Sequence, residues 1–288
     1  MSALALYYNI GGVAIAVEPL CPVDDSLYQG FRVPPFAVPD ILVKQMPGTH
    51  IWDDEDITLS FADGNAKWYN RRCGGILFQM EHPSEGGLLF AMRTNEDFTQ
   101  AELWHRIPER AIPYGFFGMM GEILFRNYII SRGGMVIHGV SIEHQGKAII
   151  FSAASGVGKT TQADLWLRNA DASIINGDRA TLILREQVLY TTGSCWSGSS
   201  RIFRNRERPM GAIVFLEQAG QNAITALTPQ QALPYILPRS FMPYFHQEWM
   251  DRALANIHQI LEHTSTYLFQ NNADPACMQI VKDAVYGA

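Results

Sequence analysis

The run Ala153-Ala154-Ser155-Gly156-Val157-Gly158-Lys159-Thr160 stands between a strongly apolar stretch, Lys147–Ala153, and a segment of helical character, Thr160–Arg168. A short apolar run that ends at glycines reads as a buried strand, and the periodic residues after it read as a helix. Strand, glycine-rich loop and helix in that order call for an α/β arrangement and fit the phosphate-loop pattern, with Ala153 at the first glycine position. Gly156 and Gly158 let successive backbone N–H groups point into one concavity. The helix start adds its positive dipole end. Lys159 offers a mobile charge to the β- and γ-phosphates, and the Thr160 hydroxyl offers a ligand to Mg²⁺. Ser155, Val157 and Thr161 complete the segment expected to line a nucleotide, so ATP with Mg²⁺ is the expected pair. A chance glycine-rich turn is the alternative, and the strand, the helix and the Gly-Lys-Thr ending together argue against it.

The rest of the chain is ordinary globular material. It has 288 residues, 47% hydrophobic and 17% charged, enough for one large or two modest domains with a core that needs no staple. The net charge of -6 argues against a nucleic-acid backbone as partner. Cys21, Cys73, Cys195 and Cys277 are too scattered for metal spacing and read as reduced thiols in a cytoplasmic protein. The opening residues lack a charged n-region and a cleavage site. No apolar run reaches the roughly 18 residues of a membrane span.

Organisation changes along the chain. Tyr7–Glu18, Ile57–Phe61, Lys67–Asn70, Gly75–Met80 and Gly87–Arg93 read as strands punctuated by glycine turns. The acidic run Asp53–Asp56 reads as a solvated turn. Phe116–Ser131 is expected to be a helix stopped at Arg132-Gly133-Gly134, and Met135–Glu143 one strand with His138 in its middle. Ser173–Asp178 and Ala212–Gln218 read as buried strands. Thr228-Pro229-Gln230-Gln231 is a helix start with a capping box, and a further helix spans His246 to Glu262. Asp274-Pro275 opens the last helix. The change of pattern puts a boundary near residue 115, between a β-rich, acidic part, 1–115, and a phosphate-loop part, 116–288.

Three features outside the loop carry chemistry in one reading and structure in another. Asp178, at the expected end of a buried strand, can reach Mg²⁺ or a substrate hydroxyl, or can cap a turn. His138 on an apolar strand is a core residue or an active-site residue. Arg201, Arg204, Arg206 and Arg208 are a phosphoryl clamp or a solvated basic loop. Trp196, in a Gly/Ser-rich setting, lines an acceptor pocket or belongs to a core.

Taken together, Ile137-His138-Gly139-Val140, Ser155-Gly156-Val157-Gly158-Lys159-Thr160 and Gly177-Asp178-Arg179 resemble the C-terminal kinase domain of HPr kinase/phosphorylase, a fold related to phosphoenolpyruvate carboxykinase. The likeness spans Arg132 to Arg179. Gly193–Gly198 and Pro209–Gln218 look like the stand-alone HPr-kinase-like proteins, some of which accompany peptide-modification clusters and carry a β-rich N-terminal part. The resemblance implies that Asp178 is the catalytic aspartate accepting the hydroxyl proton and that His138 orients it. It leaves Arg179, Trp196, Arg201 and Arg204 as candidates for phosphoryl or acceptor contacts. Two departures stand out. The family's first of two aspartates is Gly177 here, so one carboxylate serves both Mg²⁺ and the hydroxyl. The glycine-rich signature tied to dephosphorylation has no copy, which argues against phosphorylase activity and against HPr as substrate.

The expectation is a mixed α/β protein with α+β character. Its residues 1–115 select an acceptor, and its remainder is an ATP-dependent kinase acting on a serine-like hydroxyl of a peptide, protein or small molecule. Nucleic acid and membrane are not expected partners, and a homo-oligomer is left open. The rivals are a non-catalytic nucleotide-sensing module and, more remotely, a carboxykinase-type enzyme.

Overall fold

Alternating apolar residues in the first third pair up across their glycine turns. In the computed structural model, which describes residues 4–48, 56–272 and 277–287, β1 (Leu6–Ile10) and β2 (Val13–Glu18) form a hairpin across Gly11-Gly12. The expected strands become β4 (Ile57–Asp63), β5 (Ala66–Arg71), β6 (Ile76–Glu81) and β7 (Leu88–Thr94), an antiparallel meander. Two further strands, β3 (Ile41–Gln45) and β8 (Gln100–His105), join hairpin to meander. β3 runs parallel to both β2 and β8, and the sheet order is β1-β2-β3-β8-β7-β6-β5-β4. Residues 53–55 of the acidic run and the Asp274 cap lie outside the described residues.

The chain divides into two compact units, Met1–Ser131 with Pro243–Asp251, and Arg132–Met242 with Arg252–Ala288. The division falls at Ser131, beyond the change of pattern near residue 115. The reason is aromatic packing. Tyr8 of β1 meets Phe116 and Phe117 at ring-centroid distances of 6.2 and 5.5 Å. The Tyr128 hydroxyl donates to Asp40 Oδ1 at 3.1 Å. These contacts keep α1 (Met120–Ser131) with the first sheet. The regular helix starts later than its apolar spacing predicts, because Gly118 sits at non-helical angles, φ -100° and ψ -143°.

Among the described residues, the second unit is built on a nine-stranded sheet with three helices and most of a fourth, so the molecule as a whole is a mixed α/β protein. Its strands are β9 (Gly134–His138), β10 (Val140–His144), β11 (Lys147–Ser152), β12 (Ala172–Asn176), β13 (Arg179–Arg185), β14 (Val188–Thr192), β15 (Glu207–Gln218), β16 (Ala223–Leu227) and β17 (Ser265–Asn271). The order is β12-β10-β11-β15-β14-β13-β9, with β17 on β15 and β16 on β17. β15 links the two halves. Its Glu207–Pro209 end pairs with β14, and its later residues lie parallel to β11 and β17. Ile149, Ile150 and Phe151 of β11 and Ala212–Leu216 of β15 are buried without alternation, as central parallel strands require.

α2 (Lys159–Asn169) and α5 (Cys277–Tyr286) cover this core: Ala163, Trp166, Cys277 and Val281 pack with Ile149, Phe151, Val214 and Phe269. α3 (Pro229–Ile236) begins at the expected capping box, with both the Thr228 and Gln231 side-chain bonds formed. α4 (Gln247–Glu262) buries Ala253, Ile257, Ile260 and Leu261, the spacing of one helical face. Met135–Glu143, expected as one strand, is two. The chain breaks at Gly139, where a Cβ would lie 2.9 Å from Ile150 Cγ2 and 3.1 Å from the Phe151 carbonyl. β9 therefore leaves to pair with β13, while β10 pairs with β11 and β12.

The packing ranks two substitutions. Trp166→Ala empties a fully buried site and should cost about 3–5 kcal/mol. Thr228→Ala removes an exposed cap and should cost about 1 kcal/mol. Urea unfolding of both variants measures the gap, and equal losses would mean that Trp166 does not anchor α2.

Candidate functional site

β11 carries the chain through the core to Ala153, which is fully buried, and Ala154, Ser155 and Gly156 then emerge into solvent. Gly156 at φ +80° and Gly158 at φ +114° hold the turn in the left-handed region, where a side chain would be strained. Gly158 is the N-cap of α2 and has no side chain to cap it. Val157 packs against the core, while Ser155, Thr160 and Thr161 are exposed. α2 is pinned behind the loop by Gln162, whose Nε2 donates to Asn271 Oδ1 at 3.1 Å. Lys159 is only 9% exposed, and its ammonium donates to the carbonyls of Ala153 at 3.0 Å and Ala154 at 3.2 Å. Burial pushes this ammonium below its ordinary pKa; Asp178 opposes the shift and Arg239 adds to it.

Asp178 is not the last residue of a strand. β12 ends at Asn176, and Gly177-Asp178 form the turn into β13. Asn176 Oδ1 accepts from the backbone N–H groups of Asp178 at 3.0 Å and Arg179 at 2.8 Å. Its Nδ2 donates to the carbonyls of Ser194 at 3.0 Å and Trp196 at 2.9 Å. Asn176 thus shapes the turn and ties it to the following Gly/Ser-rich segment. Sequence reasoning passed over it, although Asn before Gly is the side chain that closes such turns.

Arg179 lies opposite His138 in the β13–β9 register, so His138, the last residue of β9, faces the turn. His138 Nδ1 lies 2.9 Å from Asp178 Oδ1. An ionised carboxylate only accepts, so Nδ1 carries the hydrogen. Asp178 Oδ2 takes the Arg179 guanidinium, which also sits 4.7 Å over the Phe241 ring. Burial alone would raise the Asp178 pKa. The His138 hydrogen bond and the charges of Arg179, His138 and Lys159 outweigh burial and hold the carboxyl below its ordinary value, ionised at neutral pH. An open cavity of about 460 Å³ is lined by His138, Asp178, Arg179, Gly198, Ser199 and Arg239, among others. Arg239 was not foreseen, and no motif marks it. Its Nη1 donates to the Tyr235 carbonyl at 3.0 Å, while its buried Nε has no hydrogen-bond partner.

The other candidates are elsewhere. Trp196 is 4% exposed and outside the cavity lining; its carbonyl, held by Asn176, is what the turn uses. Arg206 and Arg208 clamp Glu143 at 2.7 and 2.6 Å. Burial would raise the Glu143 carboxyl, but hydrogen bonds from both arginines bring it below its ordinary value. Arg201 and Arg204 are exposed and do not line the cavity, and the Arg204 backbone N–H donates to the Ile175 carbonyl at 2.9 Å. Position 177 has no room for an acid. A Cβ there would overlap the Ser200 hydroxyl and lie 2.8 Å from Ser200 Cβ. Among the described residues, no group of three or more His, Cys, Asp or Glu could hold a metal ion, and no helix is long and apolar enough to cross a membrane.

No curated protein matches the chain. Among solved structures it is similar to the HPr(Ser) kinase/phosphatase from Coxiella burnetii, over 52% of this chain and 95% of that one, at 10% identity and a TM-score of 0.31. A superposition that loose fixes no residue correspondence. The model of the SynChlorMet cassette protein ScmC family matches residues 119–272, more than half of the chain. That stretch contains β11, the loop before α2, the Asn176–Arg179 turn and Arg239, and the chain belongs to the ScmC family.

Proposed function

We propose that this protein is an ATP-dependent phosphotransferase acting on a hydroxyl, serine-like, of a peptide, protein or small molecule. The observation that carries the reading is the convergence of Lys159, the His138–Asp178 pair and Arg239: the first two charges act on each other, and the last three residues line one cavity. With Arg179 paired to Asp178, a polyphosphate suits the remaining cations, Lys159 and Arg239. In the proposed reaction the loop 153–160 and Lys159 bind the β- and γ-phosphates. Asp178 takes the proton of the incoming hydroxyl, and His138 holds the carboxylate in place. Arg239, with unused donors, steadies the transferring phosphoryl group.

The donor set also fits Mg²⁺. This ion keeps several waters and needs only one or two protein oxygens when phosphates supply the rest. The Thr160 hydroxyl and Asp178 would hold it, and when bound it would neutralise phosphate charge. One carboxylate then serves both metal and hydroxyl, since position 177 is sealed by Ser200. That sealing favours the second reading, a nucleotide sensor without transfer. The unit Met1–Ser131 with Pro243–Asp251 is proposed to select the acceptor. Its cavity of about 320 Å³ is lined by Lys44, Arg71, Arg93 and Glu102, and Arg93 is bonded to Glu102 there, so the lining is polar and offers hydrogen bonds to that acceptor.

Two measurements test the proposal. Lys159→Ala should weaken Mg²⁺–ATP binding at least tenfold in calorimetry, roughly 1.4 kcal/mol or more, and melting is measured beside it because the bonds to the Ala153 and Ala154 carbonyls are lost as well. Equal affinities would remove the loop from the nucleotide site. Asp178→Asn should lower single-turnover transfer by about 10²-fold or more at saturating ATP. Wild-type transfer by a folded Asp178→Asn protein would leave Asp178 a turn residue only.

The sign of the Asp178 shift gives a pH test. Its depressed folded pKa makes its contribution to stability complete above the ordinary carboxylate value of 3.8 and lost as pH falls through the lower folded value. His138→Ala removes the strongest lowering influence, so the Asp178 titration should move to higher pH. Carbon NMR of the carboxyl in the two proteins reads this directly, and an unmoved titration would deny His138 its hold on Asp178.

A further inference from the structure

The segment Ser197-Gly198-Ser199-Ser200 lies against Asp178 at Gly198 and carries three hydroxyls that differ in what they do. Ser197 is buried, and its carbonyl accepts from the Ser200 backbone N–H at 3.2 Å and the Ser200 hydroxyl at 2.8 Å. The Ser200 hydroxyl also accepts from the Ile202 N–H at 3.3 Å and closes the space over Gly177. Both are structural. Ser199 is exposed, lines the cavity with His138, Asp178, Arg179 and Arg239, and has no hydrogen-bond partner among the described residues. Gly198 explains the closeness of approach: any Cβ there would overlap Asp178 Oδ2 and come within 3.3 Å of Arg179 Nη1. The absent side chain lets the Gly198 backbone pass directly over the carboxylate, with Ser199 the next residue. The segment is held from behind, because the Asn176 amide grips Ser194 and Trp196.

An exposed hydroxyl with no partner of its own among the described residues, one residue from that close approach and on the cavity lined by Asp178, Arg179 and Arg239, is available as a phosphoryl acceptor. We propose that Ser199 is an internal acceptor, so that the protein phosphorylates itself there from ATP. The inference rests on the kinase reading above and extends it to a residue of this chain. The Ser199 Oγ attacks the γ-phosphorus and forms an O–P bond. The bond from that phosphorus to the β-phosphate bridging oxygen breaks, its electron pair leaves with ADP, and the hydroxyl proton goes to Asp178. The products are ADP and phosphoserine. Arg179 and Arg239 are the cations that would pair with the new dianion. A phosphate parked there adds negative charge beside Asp178, so the modified protein is expected to bind Mg²⁺–ATP more weakly.

The experiment incubates the full chain with ATP labelled in the γ-phosphate and Mg²⁺, and maps the label by peptide mass spectrometry. One phosphate per chain on Ser199 is expected, at a rate independent of protein concentration. Ser199→Ala should lose the label and Ser199→Thr, which keeps the hydroxyl, should retain it. Calorimetry on the isolated phosphorylated protein should show reduced Mg²⁺–ATP affinity. Label on another residue, label that persists in Ser199→Ala, or a rate that rises with protein concentration would overturn the proposal. Absence of label with Mg²⁺–ATP affinity intact overturns the internal acceptor alone. Absence of both label and affinity overturns the kinase reading with it.

Discussion

The Asn176 carboxamide is fully enclosed and uses its whole hydrogen-bonding capacity. Its oxygen accepts twice, from Asp178 and Arg179, and its nitrogen donates to two carbonyls, of Ser194 and Trp196. A buried group with all positions filled tolerates little displacement, since each lost partner strands a polar atom out of reach of water. The backbone of Asn176 is fastened as well, to the Ser141 hydroxyl of β10 at 3.1 Å. One side chain therefore sets the turn that carries Asp178, the course of the segment reaching Ser199, and the attachment of both to the sheet that delivers the loop at 153–160.

Charge balance depends on that placement. Asp178 would be raised by burial if it stood alone, and its neighbours reverse the sign. Lys159 shows the converse, lowered by burial, with Asp178 holding part of its charge in place. Each group thus favours the charged form of the other, although for Asp178 the His138 hydrogen bond and Arg179 count for more. The site keeps an excess of cation, because Arg179 is spent on Asp178 while Arg239, among the described residues, has only Tyr235 as its hydrogen-bond acceptor. On the proposed reading, that excess is what an incoming triphosphate neutralises.

Much of the second unit was legible because local signals and fold agree there. The apolar run before Gly156, the Gly158-Lys159-Thr160 helix start and the Thr228 capping box each depend on a few neighbouring residues, and each took the expected form. What could not be read depends on distant residues. The break at Gly139 exists because Ile150 and Phe151 crowd that backbone, and the two halves of an unbroken apolar run give no sign of it. Strands β13, β14, β16 and β17 add to a sheet whose central members show no alternation. Arg239 reaches the cavity through the turn after α3, a position without sequence grammar. In the first unit β3 and β8 meet in parallel across more than fifty residues, beyond the reach of hairpin signals.

A second acid at 177 would need the space that Ser200 fills, and Gly177 donates its backbone N–H to the Ile202 carbonyl at 2.8 Å, so the segment 200–202 is seated on the turn itself. The Gly/Ser-rich segment is seated as tightly at its other end, where a Cβ on Gly193 would overlap the Arg204 carbonyl. That seating leaves Asp178 as the carboxylate of the turn and puts the exposed Ser199 on the cavity that Asp178 lines.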